Sequence, residues 1–196
     1  MEYPQKFEVG ANRKLTILDN EIIYYNGIRT LRTAQPESLR FGPLPIDVYH
    51  FRIGYSYRIE LMTEHQSLIT IPFNTYFGIG RRKTYEKYQD AVDAIWEHSF
   101  QKIYEETIEA FNEGMDIIFS DKYTVCGEGL MLTKRNELIP YEEMQIQDRF
   151  EDFVVNSKTD PKLYTTVSYL KDWNWMMLHS LLTGILEQTK AHNNSV

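Results

Sequence analysis

Residues 49–61 read YHFRIGYSYRIEL, and every second residue of this stretch is apolar or aromatic. A period of two predicts a β-strand with one buried and one solvated face. The segment LITIPF at 68–73 follows a polar turn and predicts the antiparallel partner strand. Gly54 predicts a bend or bulge that divides the first strand. Pro72 predicts a strand end or a sheet edge, because proline cannot donate a hydrogen bond to a neighbouring strand.

The hydrophobic period changes after this hairpin. In residues 84–113 apolar side chains recur at intervals of three and four, which predicts a long amphipathic helix with Thr84 as its N-cap and Gly114 at its end. A second helix is predicted from an Asp172 cap to about Glu187. Six segments between the helices have strand-like composition: DIIF, YTVC, GLMLT, NELIPYEEMQI, DFVVNS and LYTTVSYL. The chain therefore predicts an α+β protein.

The two halves of the chain share an order of predicted elements. LTILDNEIIYY at 15–25 and YTVCGEGLMLT at 123–133 each predict a short hairpin, and their offset is 123 − 15 = 108 residues. Further strands and then an amphipathic helix follow in each half. The two segments share one identical position, so the repeat is one of pattern rather than of letters. We therefore expect a first domain at 10–113, a second at 114–187 and a disordered tail at 188–196.

Composition and charge restrict the classes of function. The chain of 196 residues is 42% hydrophobic and 25% charged, which is typical of a folded protein, and its formal net charge is −7. This charge opposes binding to nucleic acid and to anionic membranes unless a local basic patch acts against it. The single cysteine, Cys126, excludes an intramolecular disulfide. The histidines are scattered without metal-ligand spacing, so we expect neither a metal nor another cofactor.

Two segments bear on localisation. The N-terminal stretch MEYPQKFEVG lacks the basic and then apolar pattern of a secretory signal. The most hydrophobic stretch, Trp173 to Leu186, falls short of the ~20 apolar residues that span a bilayer. We therefore expect a cytoplasmic protein.

The second half contains a further pattern. A glycine and an apolar residue open a strand, a proline–tyrosine–x–glutamate step follows, and an asparagine lies near the start of the last helix. The residues that carry this pattern are Gly129, Leu130, Pro140, Tyr141, Glu143 and Asn174. Through them residues 85–186 resemble bacterial tandem proteins of unknown function from the pleckstrin-homology-like (PH-like) superfold. The first half resembles these proteins only in its element order.

The resemblance implies two small antiparallel β-barrels or sandwiches, each closed by a C-terminal helix, the first helix being long. It implies a platform for lipids, peptides or other proteins, and no catalytic residue. In PH domains that bind phosphoinositides, the cations lie in the loop between the first two strands. The loops that we place there, LDNE at 18–21 and CGEG at 126–129, are acidic, which opposes phosphoinositide binding.

One stretch, FGIGRRKTY, combines glycines with cations. Its glycines can expose backbone amides, and its three cations lie where the positive end of the long helix is predicted, so the stretch is suited to a phosphate or an acidic peptide. A flexible linker is the alternative interpretation. The predicted ligand-binding residues are Gly78, Gly80, Arg81, Arg82 and Lys83.

The chain lacks an acid–base pair, a nucleophile motif or a nucleotide-binding loop at a recognisable spacing. We therefore expect a noncatalytic binding or scaffolding module with a protein partner. One alternative is a peripheral membrane or anionic-ligand binder that uses residues 81–83, and a second is an enzyme of an unrecognised class. Trp173 and Trp175 lie two apart on the predicted helix and cannot share a face, which predicts an interdomain contact or a homodimer interface.

Overall fold

A computed structural model describes the backbone of residues 2–193 and the side chains of residues 2–191. Over this range the protein has fourteen strands in four antiparallel sheets, together with helices, so the α+β prediction is confirmed. The chain divides into two compact units between Lys102 and Ile103. The four sheets are open within this range, and no strand pairing closes a barrel.

The first unit contains two sheets and the start of the long helix. Its elements are β1 (Gln5–Gly10), β2 (Arg13–Ile17), β3 (Ile22–Tyr25), β4 (Thr30–Thr33), β5 (Pro36–Val48), β6 (Phe51–Thr63), β7 (Leu68–Tyr76), α1 (Arg81–Ile95) and a π-helical segment (Trp96–Phe100). The sheets have the strand orders β1-β2-β3-β4 and β5-β6-β7. The predicted hairpins β2–β3 and β6–β7 are confirmed.

Helix α1 packs against β1, β6 and β7 through its apolar face. At the centre of this contact, the ring of Tyr88 lies 5.4 Å from that of Tyr57 and 5.9 Å from that of Phe73, measured between centroids. Burial raises the pKa of the Tyr88 phenol above its ordinary value. The start of α1 is therefore held against the sheet by buried aromatic rings.

The second unit also contains two sheets. Its elements are α2 (Gln101–Asn112), which includes the boundary, then β8 (Ile117–Ile118), β9 (Tyr123–Cys126), β10 (Gly129–Leu132), β11 (Glu137–Pro140), β12 (Met144–Asp148), β13 (Asp152–Ser157), β14 (Tyr164–Ser168) and α3 (Trp175–Asn193). The strand orders are β11-β10-β9-β8 and β12-β13-β14. The predicted β9–β10 hairpin is confirmed.

The core of the second unit includes side chains from the long helix. Val125, Phe153 and Leu182 are fully buried there, and Tyr104 and Ile108 of α2 pack against this core. The observed division therefore falls before the last turns of the long helix, whereas the predicted bounds 10–113 and 114–187 place those turns in the first domain. A helical period marks a buried face, but it does not indicate which core that face joins.

Gly54 lies inside a continuous strand rather than dividing it. The β5–β6 register shifts between Ile46 and Asp47, which leaves Ile53 as the extra residue of a bulge beside the glycine. A Cβ at Gly54 would lie 1.9 Å from the carbonyl oxygen of Thr75 in β7. Glycine is needed here because the two backbones approach closely. Pro72 lies in the edge strand β7, as predicted.

The structure contains three strands, β1, β4 and β5, that were not predicted from the sequence. Strand β5 contains Pro43 and Pro45, which obscure a strand pattern, but it is an edge strand and tolerates them. Strand β1 pairs with β2 and therefore extends the first unit to residues that precede the predicted start at residue 10.

The two predicted N-caps, Thr84 and Asp172, are wrong. Helix α1 begins at Arg81, after Gly80 in a left-handed conformation, so Thr84 lies inside the first turn. Asp172 accepts a hydrogen bond from the Ser168 amide at 2.8 Å and pairs with Lys122, so it fixes the loop ahead of α3 instead of capping that helix.

The described part of the span 188–196, which was predicted to be disordered, is helical. Helix α3 continues to Asn193, and the hydroxyl of Thr189 donates a hydrogen bond of 2.9 Å to the Ile185 carbonyl. Gln, Lys and Ala favour helical continuation at these positions. The remaining three residues of the predicted tail lie outside the described residues.

Candidate functional site: the loops at one end of the three-stranded sheet

Two loops leave the same end of the β5-β6-β7 sheet. The antiparallel register pairs Val48 with Phe51 beside the β5–β6 turn, and Gly54 with Tyr76 at the end of β7. The next amide, that of Phe77, donates a hydrogen bond of 2.6 Å to the Ile53 carbonyl. The β5–β6 turn and the β7–α1 loop are therefore neighbours.

These neighbouring loops expose large apolar side chains. The exposed fraction is 94% for Tyr49, 76% for Phe51, 75% for Phe77 and 79% for Ile79. Single exposed apolar residues are common on protein surfaces, but a group of four on adjacent loops indicates a contact with something other than water. We call Tyr49, Phe51, Phe77 and Ile79 the apolar tip.

Two residues of the apolar tip have an unfavourable backbone conformation. Tyr49 has φ 56° and Phe77 has φ 53°, both in the left-handed region. For residues with a Cβ this conformation costs about 1–2 kcal/mol each. Observed backbone strain of this kind is concentrated at functional sites, because stability alone does not favour it.

The two predicted glycines adopt left-handed backbone conformations in the β7–α1 loop. Gly78 has φ 73° and Gly80 has φ 65°, and a Cβ at either would meet no atom within 4 Å. The amide of Ile79 donates to the Tyr76 carbonyl at 3.0 Å, and that of Arg81 donates to the Gly78 carbonyl at 3.4 Å. These two amides are engaged in the turn itself.

Four cations accompany the apolar tip, and we call Arg52, Arg81, Arg82 and Lys83 the basic cluster. The guanidinium carbons of Arg52 and Arg81 lie 5.6 and 4.8 Å from the ring centroid of Tyr55. Such cation–π contacts stabilise a charged guanidinium. One aromatic ring of β6 thus brings together a cation from the strand and a cation from the helix start.

Hydrogen bonds fix the orientation of three of these cations. Arg81 Nε donates to the Tyr57 hydroxyl at 3.2 Å, and Arg52 Nε donates to Asp47 at 3.1 Å. These bonds raise the pKa of both guanidinium groups above their ordinary values, so both remain charged. Arg82 Nε lies 2.8 Å from a carboxylate oxygen of Glu86, one helical turn later. The four cations of the basic cluster and their two acidic partners, Asp47 and Glu86, together have a net charge of 4 − 2 = +2.

Sequence reasoning located half of this surface. The predicted residues Gly78, Gly80, Arg81, Arg82 and Lys83 lie in one loop and the first turn of α1. It missed the apolar tip, because the period of two assigned Tyr49 and Phe51 to a buried face. In the structure both precede the bulge at Ile53, Tyr49 within the turn and Phe51 at the start of β6.

The two predicted interface tryptophans belong to the second unit. Trp175 is the first residue of α3, and its ring centroid lies 4.3 Å from that of Tyr169 and 6.4 Å from that of Phe153. Trp173 precedes the helix, so the argument from helical faces was wrong for this pair. A role for either residue at an interface stays a prediction.

The residues that carry the PH-like pattern have internal partners. A Cβ at Gly129 would lie 2.2 Å from the Ile139 carbonyl oxygen, so this glycine permits close strand pairing. The Tyr141 hydroxyl donates to the Cys126 carbonyl at 2.6 Å, and Glu143 accepts a hydrogen bond of 2.9 Å from Ser157. These residues therefore stabilise the structure of the second unit.

The described chain has neither a metal-binding cluster nor a helix that could span a membrane. Among its residues, histidine, cysteine, aspartate and glutamate side chains do not form a group of three or more that could hold a metal ion. No helix in the described range has the length and apolar character needed to cross a bilayer.

Comparison of the chain with models of protein families, with curated proteins and with solved structures finds no match.

Proposed function

We propose that this protein is a noncatalytic binding module made of two PH-like halves, and that its first half contacts a partner through the apolar tip and the basic cluster. The observation that carries the proposal is the exposure of four large apolar side chains on two adjacent loops. Burying such side chains against a partner is favourable, whereas leaving them in water is not.

The element order supports the PH-like part of the proposal. Each unit has a four-stranded sheet followed by a three-stranded sheet and then a helix, and all pairings are antiparallel. A shared order of seven strands and a following helix is expected if one architecture occurs twice.

A surface depression in the second unit is smaller than a typical small-molecule site. An open depression of about 230 Å³ there is lined by Tyr141, Glu142, Met144, Lys158, Leu186, Thr189 and Lys190. It is smaller than the ~300–1,000 Å³ typical of small-molecule sites. Lys158 Nζ donates to the Glu142 carbonyl at 3.2 Å, so this lysine contributes to local structure.

The experiment that tests the proposal compares retention of cellular material by three immobilised proteins: wild type, Phe51→Ser/Phe77→Ser and Ile28→Ser. Ile28 is the matched control, because it is an exposed apolar residue on the β3–β4 turn, which belongs to the other sheet of the first unit. The input is a total lysate that retains its membranes, and both bound protein and bound phospholipid are quantified.

The proposal predicts that the double variant retains much less material than wild type and that Ile28→Ser retains as much as wild type. Equal retention by all three proteins would refute it. Substrate turnover by the purified protein in a broad activity screen would refute its noncatalytic part.

A further inference from the structure

We infer that the partner of the apolar tip is the surface of an anionic lipid bilayer, an inference that rests on the proposed function and adds the class of partner. The tip would insert between the headgroups, and the basic cluster would contact lipid phosphates. The net charge of −7 means that the rest of the chain is repelled by such a surface. Attachment is therefore expected in one orientation only.

The separation along β6 between the apolar tip and the guanidinium groups of the basic cluster fits the dimensions of a bilayer interface. Phe51 is at the start of the strand, and the Tyr55 ring that orients Arg52 and Arg81 is four residues further along. Four residues of a strand span roughly 13 Å. Interfacial segments bury their apolar groups about 5–10 Å below the headgroup boundary. With Phe51 at that depth, the two guanidinium groups lie near the level of the lipid phosphates.

The shape of the surface favours a bilayer over a protein partner. The four side chains of the tip are each at least three-quarters exposed, so few neighbouring atoms surround them. A protein partner would need a pocket for each loop, whereas headgroups rearrange around inserted rings. Aromatic residues beside arginine and lysine are the composition found at membrane interfaces. Charge complementarity then selects anionic lipid.

The inference differs from the phosphoinositide site that the PH-like resemblance implies. That site would lie in the loop between the first two strands, whereas the apolar tip lies on the β5–β6 and β7–α1 loops. In the β7–α1 loop the Ile79 and Arg81 amides are engaged within their own turn. The expected ligand is a charged surface rather than a particular headgroup.

The test is cosedimentation with vesicles of phosphatidylcholine that contain phosphatidylserine, and with vesicles of phosphatidylcholine alone. Wild type should bind the anionic vesicles, and binding should weaken as salt is raised. Phe51→Ser should weaken it about tenfold, and Phe51→Ser/Phe77→Ser about a hundredfold. Arg82→Glu/Lys83→Glu should weaken it about 25-fold or more.

The matched control is Ile28→Ser/Arg29→Glu, which makes the same kinds of change on the β3–β4 turn. It should bind as wild type does. A second measurement does not depend on variants that lose binding. The emission of an environment-sensitive fluorophore attached to Ile79→Cys should shift to the blue when anionic vesicles are added, and the emission of the same label on Ile28→Cys should not shift. Cys126 is common to both labelled proteins.

The outcomes separate this inference from the proposed function. Absence of binding to anionic vesicles, together with tip-dependent retention of a protein from the lysate, would overturn the lipid inference and leave the binding module in place. Absence of both would overturn both. Competition by inorganic phosphate alone, without a fluorophore shift, would also overturn bilayer insertion, because it would indicate a site for a soluble anion.

Discussion

Substitution of Gly54 tests the account of the sheet that supports the two loops. In Gly54→Ala the new Cβ would lie 1.9 Å from the Thr75 carbonyl oxygen, which belongs to the backbone of β7 and cannot rotate away. Carbon–oxygen contacts between strands are normally about 3.3 Å or longer. The two strands must therefore separate by about 1.4 Å at this position.

The expected cost follows from what that separation disrupts. Gly54 is opposite Tyr76, and the adjacent hydrogen bond from the Phe77 amide to the Ile53 carbonyl is 2.6 Å long. Loss of about two hydrogen bonds at roughly 1 kcal/mol each, with some loss of packing, gives a decrease of about 3 kcal/mol in the free energy of unfolding. In a unit of this size, this corresponds to a melting temperature lower by about 12 °C or more.

Urea unfolding measures the change, and hydrogen exchange of peptides from β6 and β7 assigns it to the first unit. Gly184→Ala is the matched control, since a Cβ at this position of α3 meets no atom within 4 Å. Alanine should stabilise that helix by up to ~1 kcal/mol. A Gly54→Ala protein within about 0.5 kcal/mol of wild type would refute the requirement for close strand approach.

Three further predictions concern the second unit. Gly129→Ala should lower its stability by about 3 kcal/mol in urea, because the Cβ would lie 2.2 Å from the Ile139 carbonyl oxygen; an unchanged midpoint would contradict the close contact. Hydrogen bonds, first from Thr159, lower the pKa of Glu143 below 4.5. The ionised Glu143 carboxylate therefore stabilises the folded state fully above pH 4.5, its ordinary pKa, and this stabilisation is lost as pH falls through the lowered pKa. A carbon-13 NMR titration should show this midpoint, and Thr159→Val should raise it. Burial raises the pKa of Tyr169 from 10.0 to about 12, so the stabilisation by its neutral phenol is complete below pH 10 and lost as pH rises through 12. The absorbance titration of wild type minus Tyr169→Phe should have its midpoint near 12, and a midpoint near 10 would contradict the burial.

The local hairpins were predictable from sequence because their determinants are local. Apolar alternation and a short polar turn specify both sides of β2–β3, β6–β7 and β9–β10. Strand β5 was not predictable in this way, because Pro43 and Pro45 are acceptable only at a sheet edge. Whether a strand lies at an edge depends on how the whole sheet is assembled, so the apolar alternation of a single segment does not indicate it.

The candidate site was predictable only in part, for a similar reason. The glycines and cations of residues 78–83 form a continuous segment that composition reveals. Phe51 and Phe77 are 26 residues apart in the sequence, and they become neighbours only through the β6–β7 register. The bulge at Ile53 then sets where buried alternation ends, so exposure at Tyr49 could not be inferred from the period of two.

The strand orders of the four sheets also bear on how the chain folds. In the described part of the chain every strand pairs only with strands next to it in sequence. Such pairings have low contact order, so little loop-closure entropy opposes them and their formation is fast. Because synthesis proceeds from the N-terminus, the β5–β6–β7 sheet can form on the ribosome before β8 to β14 have been translated. The apolar tip is then completed early, and a nascent chain already carries an exposed hydrophobic surface that chaperones can bind.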